Sequence, residues 1–207
     1  MREATLTVAI QSYWHPGTGR GSGFYLDAVT HTGADGLPRL PGRTLKGLIR
    51  DALWRAESWG WEQVPKGSAR TLFGAFSKKD QFADENHRST PGQLRFSDAL
   101  LDENVADYLA NSAAGRALVP GLFREHFSTA IEHRTGVARN RSLRGMQVVV
   151  PLTLTATIGV VPGQTPEANW YERIDAVLPL VTAVGAYRSR GFGRAQLTLA
   201  RSTSCAN

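Results

Sequence analysis

Apolar residues recur along this chain with two different periods, and the change from one to the other sketches its elements. From Ala4 to Ile10 the residues Leu6, Val8 and Ile10 share one face, and Leu152, Leu154, Ala156, Ile158 and Val160 alternate with Thr153, Thr155 and Thr157. Both segments read as strands with one covered face. Between them Leu45, Leu48, Ile49, Ala52, Leu53 and Ala56 follow the spacing of a helix with one buried stripe, from about Thr44 to Ser58. A shorter strand is expected at Gln93 to Ala99. After Pro162-Gly163 the helical period returns through Trp170, Ile174, Val177, Leu178, Val181 and Val184, and Arg194 to Ala200 supplies a closing strand. Pro179 interrupts that second helix at a cost of roughly 3 kcal/mol in a helix interior, so a break is expected there.

The resulting order, βαββαβ, predicts an α+β fold with a ferredoxin-like (RRM-like) core, in which two helices cover one face of an antiparallel sheet and leave the other free. One domain spans residues 1–207, with insertions at about 11–39, 59–90 and 110–145. These insertions exceed ordinary connections, and loops of that length either carry function or remain without fixed structure.

Hydrophobic content of 42% is enough to bury a sizeable core in 207 residues. The net charge of +6 suits a polyanionic partner, and 20 of the 24 basic residues are arginine, whose planar fork of donors matches phosphate. The single cysteine, Cys205, excludes internal disulfides and cysteine-rich zinc sites, which fits a reducing cytoplasm. No charged-then-apolar leader opens the sequence. The longest apolar stretch, around Ala176 to Tyr187, is far short of the ~20 residues that span a bilayer, so no membrane partner is expected.

Position along the chain sharpens the charge argument. In Pro41-Gly42-Arg43-Thr44-Leu45-Lys46-Gly47 a glycine-flanked basic turn opens the first helix, and Thr44 is placed to cap it, so that helix N–H groups and two cations face an anion. The Lys-Gly-Leu order departs from a Walker loop, which leaves nucleoside triphosphate binding without support. Between the second helix and the last strand, Gly185 to Arg194 combines three glycines with Arg188, Arg190 and Arg194 and with Tyr187 and Phe192. Backbone close to a ligand, cations and stacking surface thus come from one loop. A third basic cluster, Arg134, Arg139, Arg141 and Arg144, flanks Thr135-Gly136, which reads as the tip of a protruding hairpin arm.

Other groups read as structural. Asp80, Asp84, Glu85 and His87 lie among Lys78, Lys79 and Arg88 and form a solvated loop rather than a metal site. Asp35-Gly36 is a turn signature whose carboxylate caps its own backbone. Trp54, Trp59 and Trp61 straddle the end of the first helix and suit core or subunit packing.

Pro41 to Gly47, Leu72-Phe73-Gly74, Leu94 to Ala99, Glu132 to Gly136 and the Gly185 to Arg194 loop, in that order over nearly the whole chain, resemble the RAMP superfamily of CRISPR proteins. The resemblance is strongest to the repeated backbone subunit of type III effector complexes. It implies a protein that binds guide RNA (crRNA) as stacked copies, with a thumb-like hairpin bending the guide, alongside other Cas effector subunits in a prokaryotic cytoplasm. Carried over residue by residue, Arg43, Thr44, Lys46 and Gly47 hold guide phosphates. Arg188, Arg190, Gly191, Phe192 and Gly193 lie beside the backbone, and the arm with Arg134, Arg139 and Arg141 is the thumb.

The same resemblance implies cleavage of complementary target RNA, with Asp27, in the loop ahead of Pro41-Gly42, as the catalytic residue and the ligand of a divalent ion such as Mg²⁺. One carboxylate can orient a hydrated ion near the scissile phosphate while the neighbouring 2′-hydroxyl attacks in line. Two alternatives stay open from the sequence. One is a guide-binding structural subunit without chemistry, including that of a DNA-targeting complex; the other is a guide-processing endoribonuclease centred on His15 or His31.

Overall fold

The structure is a computed structural model, and it describes residues 2–19, 21, 26–75, 90–165 and 167–201. Cys205 and the Asp80, Asp84, Glu85 and His87 group lie outside the described residues.

The alternating segments form the expected sheet. β1 (Glu3–Ile10) buries Ala4, Leu6, Val8 and Ile10. α1 (Gly42–Ser58) follows, burying Leu45, Ile49, Ala52, Leu53 and Ala56 on one stripe. α2 (Ser68–Phe73) and a small pair, β2 (Gly74–Ala75) with β3 (Thr90–Pro91), lie between α1 and β4 (Leu94–Phe96). Two helices, α3 (Glu103–Asn111) and α4 (Ala113–Leu118), then precede the hairpin of β5 (Phe123–Ser128) and β6 (Arg144–Val149). β7 (Thr153–Val160), α5 (Trp170–Val177) and β8 (Ala195–Arg201) complete the chain. The helical period breaks at Pro179 as expected: α5 ends at Val177 and Leu178–Leu180 form a 3₁₀ turn.

The main sheet is antiparallel in the order β4-β7-β1-β8. Counting only the strands of the βαββαβ core, this places the second, third, first and fourth side by side, which is the ferredoxin-like arrangement. Leu6 lies opposite Ala156 and Leu199, and Val8 opposite Leu154 and Leu197, so the apolar faces of three strands coincide. α1 and α5 close that face, with Ile174 and Trp170 buried against it. Each large aliphatic side chain so covered contributes about 1.5–3 kcal/mol.

The opposite face carries Thr5, Thr7, Thr155, Thr157 and Thr198. Among the described residues its strands present these hydroxyls, Gln196 and the Glu3–Arg95 ion pair but no aromatic ring, so they lack the stacking surface that an RRM-like platform needs.

One expected boundary shifts. The third insertion begins earlier than 110, because α3 starts at Glu103 with Asp102 accepting from the Asn104 N–H. Trp54 and Trp61 pack against the core, whereas Trp59 is 59% exposed.

Candidate nucleic-acid interface

The basic turn at the start of α1 is built differently from its sequence reading. The helix begins at Gly42 with Pro41 at the N-cap, so Thr44 lies within the first turn and makes no side-chain cap. The Gly42 N–H donates instead to Asp98 Oδ1 at 2.8 Å. A carboxylate from the strand side already sits at the positive end of the helix, where a phosphate was expected. A Cβ at Gly42 would collide with the Phe96 and Ser97 carbonyls, which explains the glycine.

Arg43 is exposed and forms no ion pair among the described residues. Lys46 is half-buried, and its Nζ donates to the Leu94 carbonyl of β4 at 2.9 Å. Burial, and secondarily the like charge of Arg50, push the Lys46 ammonium below its ordinary value. Gly47 faces open space: a Cβ there would meet nothing within 4 Å.

The glycine-rich loop is pinned to the segment after β1. Gly193 N donates to the Tyr13 carbonyl at 2.7 Å, Ser12 Oγ to the Gly191 carbonyl at 3.1 Å, and Ala186 N to the His15 carbonyl at 2.9 Å. Gly185, Gly191 and Gly193 all have positive φ, and a Cβ at Gly193 would collide with the Val184 carbonyl, so close approach demands glycine there. Arg188, Arg190 and Arg194 remain exposed.

The arm is present. β5 and β6 pair from Phe123↔Val149 to Ser128↔Arg144, and beyond them Ile131 bridges Ala138 before the tip closes with Gly136 at φ +69°. Every residue from 124 to 141 is exposed. Arg134, Arg139 and Arg141 therefore project from it, and none forms an ion pair among the described residues.

At the base of this arm the loops meet. Asp27 N donates to the Gly145 carbonyl at 2.8 Å, and the Gly145 N–H donates back to Asp27 Oδ2 at 2.9 Å. Ala28 bridges Met146 in parallel, and Thr30 Oγ1 donates to Gln147 Oε1 at 2.7 Å. The Asp27 loop is thus laid along the free edge of β6. His15 lies beside it, its Nδ1 2.7 Å from the Gln147 carbonyl. On β5, His126 meets Phe192 of the glycine-rich loop edge-on, with ring centroids 5.0 Å apart. Arm base, Asp27 and glycine-rich loop therefore form one connected region. Gln147 and His126, which tie it together, carry no sequence mark beyond strand alternation.

The α1 turn joins this region only in part. A cleft of about 350 Å³ between Leu48, Asp51 and Arg55 of α1 and residues Leu180 to Ala183 is also lined by Arg188. Lys46 stands on roughly the opposite side of the helix from Leu48, since two residues turn it by about 200°. The structure brings Arg188 to α1 but does not bring Lys46 to the glycine-rich loop.

His15 is 3% exposed with one ring nitrogen engaged, which suits packing rather than acid–base work. His31 is half-buried, and its Nδ1 has no hydrogen-bond partner among the described residues. Asp35 Oδ1 accepts from the Leu37 N–H at 3.0 Å, the self-capping turn its sequence implies. A wider cleft, about 550 Å³, is lined by Asp35, Glu103 and Asp107 against a single arginine, Arg39, a charge balance that repels phosphate.

Among the described residues no group of three or more metal-binding side chains occurs, and no helix is long and apolar enough to cross a membrane. Asp27 is exposed and offers its second carboxylate oxygen. One carboxylate suits Mg²⁺, which keeps several waters and takes further oxygens from substrate phosphates.

Comparison with known proteins agrees with this architecture. No curated protein matches the chain. Two similar solved structures are a chain of the type III-B Cmr-β complex bound to cognate target RNA and one of Cmr-β in the apo state, both from cryo-EM. The first has a TM-score of 0.69 at 10% identity and the second 0.66 at 11%; each alignment covers 96% of this chain and 97% of the other. At such identity the likeness establishes the fold. The RAMP superfamily model matches residues 7–196, nearly the whole sequence, and the chain belongs to that superfamily.

Proposed function

We propose that this protein is a guide-RNA-binding backbone subunit of a type III CRISPR effector complex, and that it cleaves complementary target RNA beside Asp27 with a divalent ion. Its partners in this reading are the guide (crRNA), target RNA, further copies of itself and other Cas subunits. The observation that carries the proposal is the joining of Asp27, the arginine-bearing arm and the glycine-rich loop around β6. Likeness in fold to chains of a complex solved with cognate target RNA supports it.

In this reading Arg134, Arg139, Arg141, Arg188 and Arg190 engage phosphates, and Arg43 extends the contact onto the exposed side of α1. Phe192 holds the loop against the arm through His126. Sequence selection falls to base pairing with the guide. Asp27 would hold the ion with its carboxylate, and the ion would supply charge stabilisation at the scissile phosphate.

The test is cleavage of complementary RNA with Mg²⁺ by the guide-loaded complex, comparing wild type with Asp27→Asn and Asp27→Ala. Asparagine keeps an acceptor for the Gly145 N–H and removes the charge. The expected result is loss of regularly spaced cuts in both variants while Asp27→Asn retains guide and target binding. Cuts that persist in Asp27→Asn refute the catalytic assignment, and an intact target with wild type leaves a purely structural subunit.

A further inference from the structure

Two non-glycine residues among those described have positive φ, Arg141 and Tyr187. Tyr187 adopts φ 56° and ψ 28°, within a loop that uses glycine at its other positive-φ positions, 185, 191 and 193. A bulky side chain in the left-handed region is strained, and such strain persists only where surrounding structure fixes it. Here the fixing contacts lie on both sides. Ala186 N is bound to the His15 carbonyl, Arg190 N donates to the Tyr187 carbonyl at 2.8 Å, and a Cβ at Gly185 would stand 2.7 Å from the His15 carbonyl.

Burial does not account for an aromatic residue at this position, since Tyr187 is 43% exposed. Its ring is nevertheless well oriented. The Arg190 guanidinium carbon lies 5.6 Å from the ring centroid, and His15 and Phe192 approach at 6.4 and 6.5 Å with interplanar angles of 53° and 64°. The pattern is a rigid π surface with a cation beside it and open area remaining. That chemistry matches a nucleobase, whose flat face stacks on aromatic rings while arginine serves base or phosphate.

We propose that Tyr187, flanked by Arg190, is a stacking site for one unpaired nucleobase of the bound RNA strand. The inference rests on the RNA-binding reading above and adds a base contact to a loop otherwise assigned to the backbone. The strain at residue 187 is explained by the need to present a ring where glycine would be easier.

The experiment measures binding of the full chain to a single-stranded RNA of guide sequence, scanned with 2-aminopurine and with abasic sites, for wild type, Tyr187→Phe, Tyr187→Leu and Tyr187→Gly. Tyr187→Phe is expected to bind within about twofold of wild type. Tyr187→Leu and Tyr187→Gly weaken binding by about 5- to 100-fold, the range of one stacked base, with an unchanged salt slope. The 2-aminopurine quench at one position is lost with them. Glycine relieves the backbone strain, so a thermal midpoint at or above wild type separates lost stacking from lost fold. Wild-type binding with a flat abasic scan, or a folded Tyr187→Gly that binds as tightly as wild type, overturns the stacking site alone. Failure of wild type to bind RNA at all overturns the RNA-binding reading and the site with it.

Discussion

Gly47 offers a direct measurement of whether a ligand shapes α1. It is the sixth residue of a 17-residue helix, on the exposed side, and a methyl group there would touch nothing. Glycine in a helix interior is about 1 kcal/mol less favourable than alanine, because it loses more backbone freedom on folding. Nothing among the described residues compensates for that cost. Gly47→Ala should therefore raise stability by about 1 kcal/mol. For a chain of this length the unfolding entropy at the midpoint is about 0.4 kcal/mol per kelvin, so the thermal midpoint should rise by about 2 °C.

If RNA approaches this surface, the same methyl group should weaken guide binding by roughly fivefold, the equivalent of one displaced contact of about 1 kcal/mol. Calorimetry or urea unfolding gives the first quantity, and a binding titration at fixed salt gives the second. Gly115→Ala is the control, because a Cβ there collides with the Tyr108 carbonyl and should lower the midpoint. A Gly47→Ala protein that is no more stable refutes the reading of open space. One that is more stable and binds RNA unchanged removes this side of α1 from the interface.

Two further predictions test the charges. Between the lowered folded pKa of Lys46 and its unfolded value of 10.5, the unfolded chain holds the proton that the folded chain has released, so stability rises with pH in that window. Urea unfolding of wild type and Lys46→Met across that range should show wild type gaining on the variant as pH increases, and a flat difference refutes the desolvation argument. Replacing Arg134, Arg139 and Arg141 together by Gln should reduce the slope of log affinity against log salt by about 2, at about 0.7 per phosphate contact on a single strand. Stability should stay within about 0.5 kcal/mol, since these exposed side chains form no ion pair among the described residues. An unchanged salt slope removes the arm from the phosphate contacts.

The core was legible in the sequence because burial there is periodic. β1, α1, β7, α5 and β8 each repeat apolar residues at one spacing, and Pro179 marked its own break. α3 and α4 escaped notice because their buried residues are Leu109 and Gly115, too few to set a period. Their N-caps, Asp102 and Ser112, were the available signal. The cap of α1 was misassigned to Thr44 for a different reason: the group that meets the helix start, Asp98, lies 56 residues away in the sequence. Local rules place a capping side chain in the adjoining turn, whereas this one arrives from the strand side.

That long-range cap changes what α1 contributes to an anion site. With the Asp98 carboxylate against the Gly42 N–H, the helix dipole is already answered, and any phosphate attracted here depends on side chains such as Arg43 rather than on the helix end. The stronger architecture lies elsewhere, on β6. One edge of that strand carries β5 and hence the arm; the other carries Trp14 and the Asp27 to Thr30 segment through backbone bonds at Val149, Gln147 and Gly145. Asp27 thereby shares a backbone frame with the arm, although its carboxylate and the Gly145 amide are 118 residues apart in the chain. A strand that shifts the arm must carry Asp27 with it, so the alignment of carboxylate and arm is set by β-pairing rather than by a freely moving loop.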